Sequence, residues 1–191
     1  MKQPRQVCFS KKCKKVKTKM AVKSTKIKFV TGKVRFSFAH VFEPAETLNG
    51  TMKYSSMILI PKSDKDTITR FNKAFEECKA ANANYFGGTV PKVLKGGLRD
   101  GATEREDDLY ADYYFINASG NEKPGVVDAD LNPIIDPSEF YSGCYGRASI
   151  TFYPYDVSGS KGIAAGLNNV QKLEDGEKFN GATSAAADFA I

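Results

Sequence analysis

Apolar and polar positions alternate with period two in Lys33-Val-Arg-Phe-Ser-Phe-Ala-His-Val-Phe42. Val34, Phe36, Phe38 and Phe42 are apolar, and Lys33, Arg35 and Ser37 lie between them. This alternation predicts a strand with one face on a core and a second, positively charged face. Turn chemistry at Glu43-Pro44 and Leu48-Asn49-Gly50 separates it from a second strand, Tyr54-Ser-Ser-Met-Ile-Leu-Ile60, which Pro61 closes. The two read as an antiparallel pair. The period then changes. Ile68, Phe71, Phe75 and Cys78 fall at i, i+3, i+7 and i+10, and Ser63 or Asp64 can cap, so a helix is expected from about 64 to about 82. Residues 85–108 are glycine-rich and loop-like. A third strand is expected at 112–119, a long one at 144–155 and a last one at 162–173, with a loop at 158–162 and mixed turns at 121–137. The pattern is mainly β, with one α-helix, long loops and no internal repeat.

The length of 191 residues suits one domain with appended tails and a core that needs no disulfide or metal. Charge refines this picture. The formal net charge is +6, yet residues 1–30 hold 11 of the 28 basic residues and no acid, leaving the rest of the chain at −5. The dense run Lys11, Lys12, Lys14, Lys15, Lys17 and Lys19 predicts a disordered basic leader over 1–30. A folded domain is expected over 31–175 and a small, polar, mobile tail over 176–191. A nucleic-acid reading therefore needs a local basic groove rather than the overall charge. Cys8, Cys13, Cys78 and Cys144 match no zinc spacing, and His40 is the only histidine, so no metal or other cofactor is expected. The leader has no apolar segment of a secretory signal and no apolar run reaches membrane-spanning length, which points to the cytoplasm and away from a membrane partner.

The strongest candidate chemistry lies in residues 145–155. Tyr145, Arg147, Ser149, Thr151, Tyr153 and Tyr155 share one face, and Gly146, Ala148, Ile150 and Phe152 the other. Aromatics that stack on bases beside a cation that neutralises phosphate are what sequence-tolerant single-strand binding requires. Thirteen Phe and nine Tyr with no Trp fit such a surface, and fit a β-rich core equally. In 112–118 either face could be core; Tyr114, Ile116 and Ala118 read more smoothly as interior, so Tyr113 and Phe115 are expected outward. Lys33 and Arg35 on the first strand, Lys92, Lys95 and Arg99 beside the glycines of 96–101, and Lys161 in the 158–162 loop complete the candidate nucleic-acid set. Pro154 cannot donate to a ladder and is a point where Tyr155 could turn away from the face of Tyr153. The competing enzyme reading is a metal-dependent nuclease using the acidic loop 100–108. A lone histidine leaves nucleophilic triads without a motif.

Seven stretches carry a family resemblance: Val41-Phe-Glu-Pro44, Ile58-Leu-Ile-Pro-Lys-Ser-Asp64, Gly97-Leu-Arg-Asp-Gly101, Tyr114-Phe-Ile-Asn-Ala-Ser119, Pro124-Gly-Val-Val-Asp128, Asp136-Pro-Ser-Glu-Phe-Tyr-Ser-Gly-Cys-Tyr-Gly-Arg-Ala148 and Gly166-Leu-Asn-Asn-Val-Gln-Lys-Leu173. Together they resemble a phage family of single-stranded-DNA-binding proteins. The resemblance implies an oligonucleotide-binding (OB) fold, a five-stranded antiparallel barrel. It also implies non-catalytic binding of single-stranded DNA in phage replication or recombination, inside a bacterial host cell. An OB barrel binds nucleic acid on a strand face flanked by loops. Phage replication or recombination proteins are candidate partners through the C-terminal tail. The ending Ala185-Ala-Ala-Asp-Phe-Ala-Ile191 departs from the strongly acidic terminus usual in such proteins, and the lysine leader departs as well.

Residues 1–19 offer nothing to bury. A chain beginning at Met20 is expected to keep its fold and its preference for single strands, with a shallower salt dependence because part of the lysine block is gone. Thermal melting and a salt series of binding check this. Loss of all binding would make the leader the binding element.

Overall fold

The computed structural model describes residues 24–47, 49–91, 94–157 and 159–179. Its strands are β1 (Ile27–Val30), β2 (Val34–Glu46), β3 (Met52–Pro61), β4 (Arg99–Asp100), β5 (Tyr113–Gly120), β6 (Gly125–Val127), β7 (Tyr145–Val157) and β8 (Ser160–Glu174), and its main helix is α1 (Lys65–Ala81). β2, β3, β5, β8 and β7 pair in that order, and β7 closes on β2 at Val34↔Gly146 and Arg35↔Tyr145. This is the five-stranded OB barrel. One detail of the expected antiparallel barrel is corrected, because β5 and β8 run parallel at Ala118↔Ala165 and Ser119↔Gly166. The correction is a matter of parity. Directions must alternate round an antiparallel ring, and five strands cannot alternate without leaving one parallel pair.

Period two sorts the barrel strands into two faces. Val34, Phe36, Ile58, Ile60, Ile116, Ala118, Ala148, Ile150, Phe152, Ile163, Ala165 and Leu167 are buried together inside. On β7 the even positions 146–154 are all buried and the odd positions are half-buried or exposed. Pro154 keeps register with Ile163, and Tyr155 with Gly162, so Tyr155 stays on the face of Tyr153. The register shifts of this hairpin fall elsewhere, between Tyr145 and Gly146 and between Ser149 and Ile150.

Helix α1 packs against the barrel core. Asp64 caps it, its carboxylate accepting from the Thr67 amide at 3.0 Å. Phe71 and Cys78 are buried, with Ile68 and Phe75 packed beside them. The Phe71 ring meets Phe152 edge-on at 5.0 Å and Phe29 at 5.5 Å. Phe29 belongs to β1, which pairs with β7 from Ile27↔Phe152 to Val30↔Ser149. Residues 27–30, expected in the disordered leader, are therefore a strand of the folded body. Buried Asn82 fixes their approach: its amide donates to the Thr25 and Cys78 carbonyls at 2.9 and 2.7 Å and accepts from the Thr25 amide at 2.8 Å.

The glycine-rich stretch 85–108 also holds more order than a loop. Gly101–Glu104 is a helical turn capped by Asp100, and Asp108–Tyr110 a 3-10 turn capped by Asp107. At the other end, residues expected in the mobile tail lie on the barrel. The Phe179 amide donates to the Ser142 carbonyl at 3.0 Å.

Phe152 touches three other rings, those of Phe29, Phe71 and Phe75. Phe152→Ala is expected to cost about 3–5 kcal/mol of stability, and Ile150→Ala about 2–5 kcal/mol. Tyr153→Ala on the opposite face should cost far less. Melting curves of the three variants decide whether the two faces are correctly assigned.

Candidate nucleic-acid interface

The outward residues of β7 run from Tyr145 to Tyr155, about 33 Å along a strand. They cannot form one site, and the structure divides the sequence-predicted set into separate groups. At one end Lys33, Arg35, Tyr113 and Tyr145 meet. The Lys33 ammonium and the Arg35 guanidinium each lie 5.2 Å from the centre of the Tyr145 ring. Burial, and then the neighbouring Tyr145, push the Tyr113 phenol above its ordinary pKa, with Arg35 pulling it back. Arg35 is largely committed. Its Nε donates to the Gly143 carbonyl at 2.9 Å and Nη2 to the Glu177 carbonyl at 2.8 Å, and its plane lies 4.1 Å from the Phe179 ring. Lys33 is paired with Glu174 at 2.6 Å. This cluster holds residues 175–179 against the barrel.

At the other end Tyr153, Tyr155, Lys95 and Lys161 come together beside the β7–β8 turn. Tyr155 lies across Gly162, where a Cβ would stand 2.6 Å from its hydroxyl, and Tyr153 lies against Gly166. The two glycines let the rings lie flat over β8 while both tyrosines remain half-exposed. Lys95 joins this end through the backbone, its amide donating to the Lys161 carbonyl at 3.1 Å and its carbonyl accepting from Ile163 at 2.9 Å. The Lys161 ammonium bonds the Phe86 carbonyl at 3.3 Å and faces Asp156 at 3.6 Å.

Three further predicted residues stand apart. Arg147 is exposed in a shallow cleft with Val30, Leu131 and Asn169. Arg99 is paired with Glu104 and lies 4.8 Å over the ring of Phe115. Phe115 corrects an expectation: it faces away from Ile116 and Ala118 as the alternation requires, yet it is 0% exposed. Residues 99–110 fold over it, and with Met57, Leu59 and Tyr110 it forms a second, smaller core outside the barrel. Phe115 has no free face for a base. Lys92 lies outside the described residues.

The acidic loop has structural work. Asp100 pairs with Lys62 at 2.6 Å, Glu104 with Arg99, and Asp107 caps the 3-10 turn. The Lys62 ammonium and the Ala102 amide hold the Asp100 carboxyl below its ordinary pKa. Among the described residues no three His, Cys, Asp or Glu side chains come close enough to hold a metal ion. The nuclease reading thus finds no assembled carboxylate site there.

One concavity was missed in the sequence. It is a groove of about 720 Å³ on the outer face of β2, β3 and β5, within the ordinary range of ligand clefts. Cross-strand pairs His40↔Ser55, Ser55↔Ser119 and Met57↔Asn117 lay out its floor. Phe38, Arg105 and the β2–β3 turn residues Thr47 and Asn49 form its walls, and Glu46 is its one carboxylate among the described residues. The signal that could have revealed it is small polar residues on alternate positions of two paired strands: Ser55 on β3, Asn117 and Ser119 on β5. Their apolar neighbours drew attention to the core side instead.

The comparisons with known proteins agree with this geometry. The model of the ssDNA-binding protein family of Enterobacter phage Enc34 matches residues 27–191. Putative protein p50 of Acyrthosiphon pisum secondary endosymbiont phage 1 is 33% identical over 177 residues, which cover 85% of this chain and 91% of that protein. Among solved structures, the single-stranded DNA-binding protein from bacteriophage Enc34 in complex with ssDNA superposes with a TM-score of 0.67 at 25% identity, over 80% of this chain and 89% of that one. The single-stranded DNA-binding protein gp2.5 of bacteriophage T7 superposes with a TM-score of 0.57 over 86% of this chain and 95% of that one. At 16% identity that second likeness is one of fold alone. By the family match and the p50 relative, this chain belongs to the Enc34-type family of phage single-stranded-DNA-binding proteins.

Proposed function

We propose that this protein binds single-stranded DNA without catalysing a reaction on it, in the cytoplasm of a phage-infected bacterium, during phage replication or recombination. The observation that carries the reading is the open groove on the β3–β5 face of a closed OB barrel. That face and the two loops beside it are where OB folds take oligonucleotides. Here the loops are the β2–β3 turn, which contributes Thr47 and Asn49, and the β7–β8 turn, which has Tyr153, Tyr155, Lys95 and Lys161 at its base. The side chains of His40, Ser55, Asn117 and Ser119 make no hydrogen bond to another described residue, so their capacity is free for a ligand. The half-exposed tyrosines offer π-faces that any base can stack on, which favours sequence-tolerant binding. The terminal residues, expected as a docking tail for replication or recombination proteins, carry a single acid, Asp188, and lie outside the described residues.

Stacking needs unpaired bases, so a fluorescence titration should show tighter binding to an oligothymidylate than to duplex of equal length at equal salt. Affinity should fall as salt rises, with a log–log slope of about −0.7 per phosphate contacted. Equal affinity for duplex would sink the reading and leave only the pull of the lysine leader. Tyr153→Ala and Tyr155→Ala should each weaken single-strand binding by about 1–3 kcal/mol while the melting temperature changes little. If either variant melts several degrees lower yet binds single strands as the wild type does, the tyrosines are cover for Gly162 and Gly166 and no more.

A further inference from the structure

Two residues of the groove wall are unusual for a β-sheet surface. Phe38 has φ +47° and is 51% exposed, within the register shift of β2 against β3 between Ser37 and His40. A bulky side chain in the left-handed region is costly, because its Cβ crowds the following carbonyl. Glycine would hold the same bulge without that cost. The conformation carries the ring out over the groove, where a period-two strand would have placed it in the barrel with Phe36.

Beside it stands Arg105. Its guanidinium lies 5.7 Å from the ring centre of Phe38, 5.5 Å from Tyr110 and 5.3 Å from Phe115. Its Nε is buried with no hydrogen-bond partner, and its Nη2 donates to the Met57 sulfur at 3.7 Å. Arg35 is spent on two carbonyls, Arg70 on Asp66 and Arg99 on Glu104, and Arg147 stands exposed in the separate cleft with Val30 and Leu131, away from this groove. The Arg105 side chain has no carboxylate or carbonyl partner among the described residues. Three ring faces hold it instead, which fix a cation in place without neutralising it.

We infer that Phe38 and Arg105 form a nucleotide subsite of the groove, in which an unpaired base stacks on the exposed Phe38 ring and the adjoining phosphate meets the Arg105 guanidinium. The backbone strain at Phe38 is retained because it presents that ring. This rests on the single-strand reading above and deepens it. It assigns the strained bulge a role that folding alone would oppose, since the same bulge built with glycine would be easier to form and would bind worse. Tyr110 supports the pair from behind, its hydroxyl 3.1 Å from that of Ser37, which anchors the turn carrying it to β2. Glu46 on the far rim repels a phosphate placed there, which favours the Arg105 side of the groove for the backbone.

The test uses the full-length chain, an oligothymidylate and four variants. Phe38→Gly and Phe38→Asn both accept a positive φ and remove the ring. They should keep or raise the melting temperature and weaken single-strand binding about 5- to 150-fold. Phe38→Tyr should retain affinity. Arg105→Gln should weaken binding and make the salt slope shallower by up to about 0.7, which loss of packing alone would not do. A melting temperature several degrees lower in both Phe38→Gly and Phe38→Asn would make the ring a packing element and overturn the proposal. So would wild-type affinity in either variant, or an unchanged salt slope in Arg105→Gln. If the wild-type protein shows no preference for single strands, the function itself fails; if it shows one that the variants keep, only the subsite fails.

Discussion

Strand β7 is paired on both edges, and the rest of the barrel depends on that. One edge carries β1 and, at its beginning, β2; the other carries β8 along its whole length. A strand so enclosed has no freedom to slip. A shift of one residue would turn the guanidinium of Arg147 into the barrel and put Phe152 in water. Burying an unpaired charge costs several kcal/mol, and exposing a large apolar side chain a further 1.5–3 kcal/mol or so. Phe152 in turn sets α1, through its contacts with Phe71 and Phe75, and Phe71 holds Phe29 of β1. The closure of the ring, the seat of the helix and the attachment of the first strand thus follow from the alternation of one segment.

The outer surface of β2, β3 and β5 is under no such demand, and it is divided between two uses. Toward the end marked by Leu59 and Phe115, residues 99–110 lie over the sheet and make a small dry cluster with Tyr110 and Met57. Toward the end marked by His40, Ser55 and Ser119 the surface is open as a groove, and its floor carries the polar side chains of His40, Ser55, Asn117 and Ser119. Arg105 sits at the border. The lid over the first half therefore also builds a wall of the groove over the second. The dry cluster is what gives Arg105 its aromatic surroundings, so stability on one half is coupled to recognition on the other.

Much of this was legible from residue order, and the failures have definite causes. The helix followed from Ile68, Phe71, Phe75 and Cys78, and the faces of β7 from a period that separates Tyr and Arg from Ile and Phe without exception. Ile27–Val30 was not legible, because a four-residue strand inside a lysine-rich run carries too few positions to show a period, and its anchors Asn82 and Thr67 lie far along the chain. Phe115 failed differently. Alternation states which side of a sheet a residue faces and says nothing about what folds over that side. Arg35 is a third kind of case: its outward position was right, while its partners Gly143, Glu177 and Phe179 come from segments with no periodic signal. Arg105 was overlooked as one basic residue in an acidic loop, and only the tertiary contacts show that no acid claims it.

The charge distribution explains why the manner of holding a cation matters here. Past residue 30 the chain carries a net charge of −5, so its long-range field does not draw a polyanion toward the barrel. Attraction at a distance is left to the 11 basic residues of the first 30, which need no structure to exert it. Within the barrel, a lysine or arginine already paired with a carboxylate must exchange one anion for another when phosphate arrives. That exchange gains little and leaves the displaced carboxylate nearby to repel the strand. Lys33, Arg99 and Lys161 are in that position, with Glu174, Glu104 and Asp156 as their present partners. A guanidinium held by ring quadrupoles loses no ion pair on binding phosphate, and its low-dielectric surroundings strengthen the new contact. On an acidic barrel, one such arginine contributes more to binding than several surface ion pairs broken and remade.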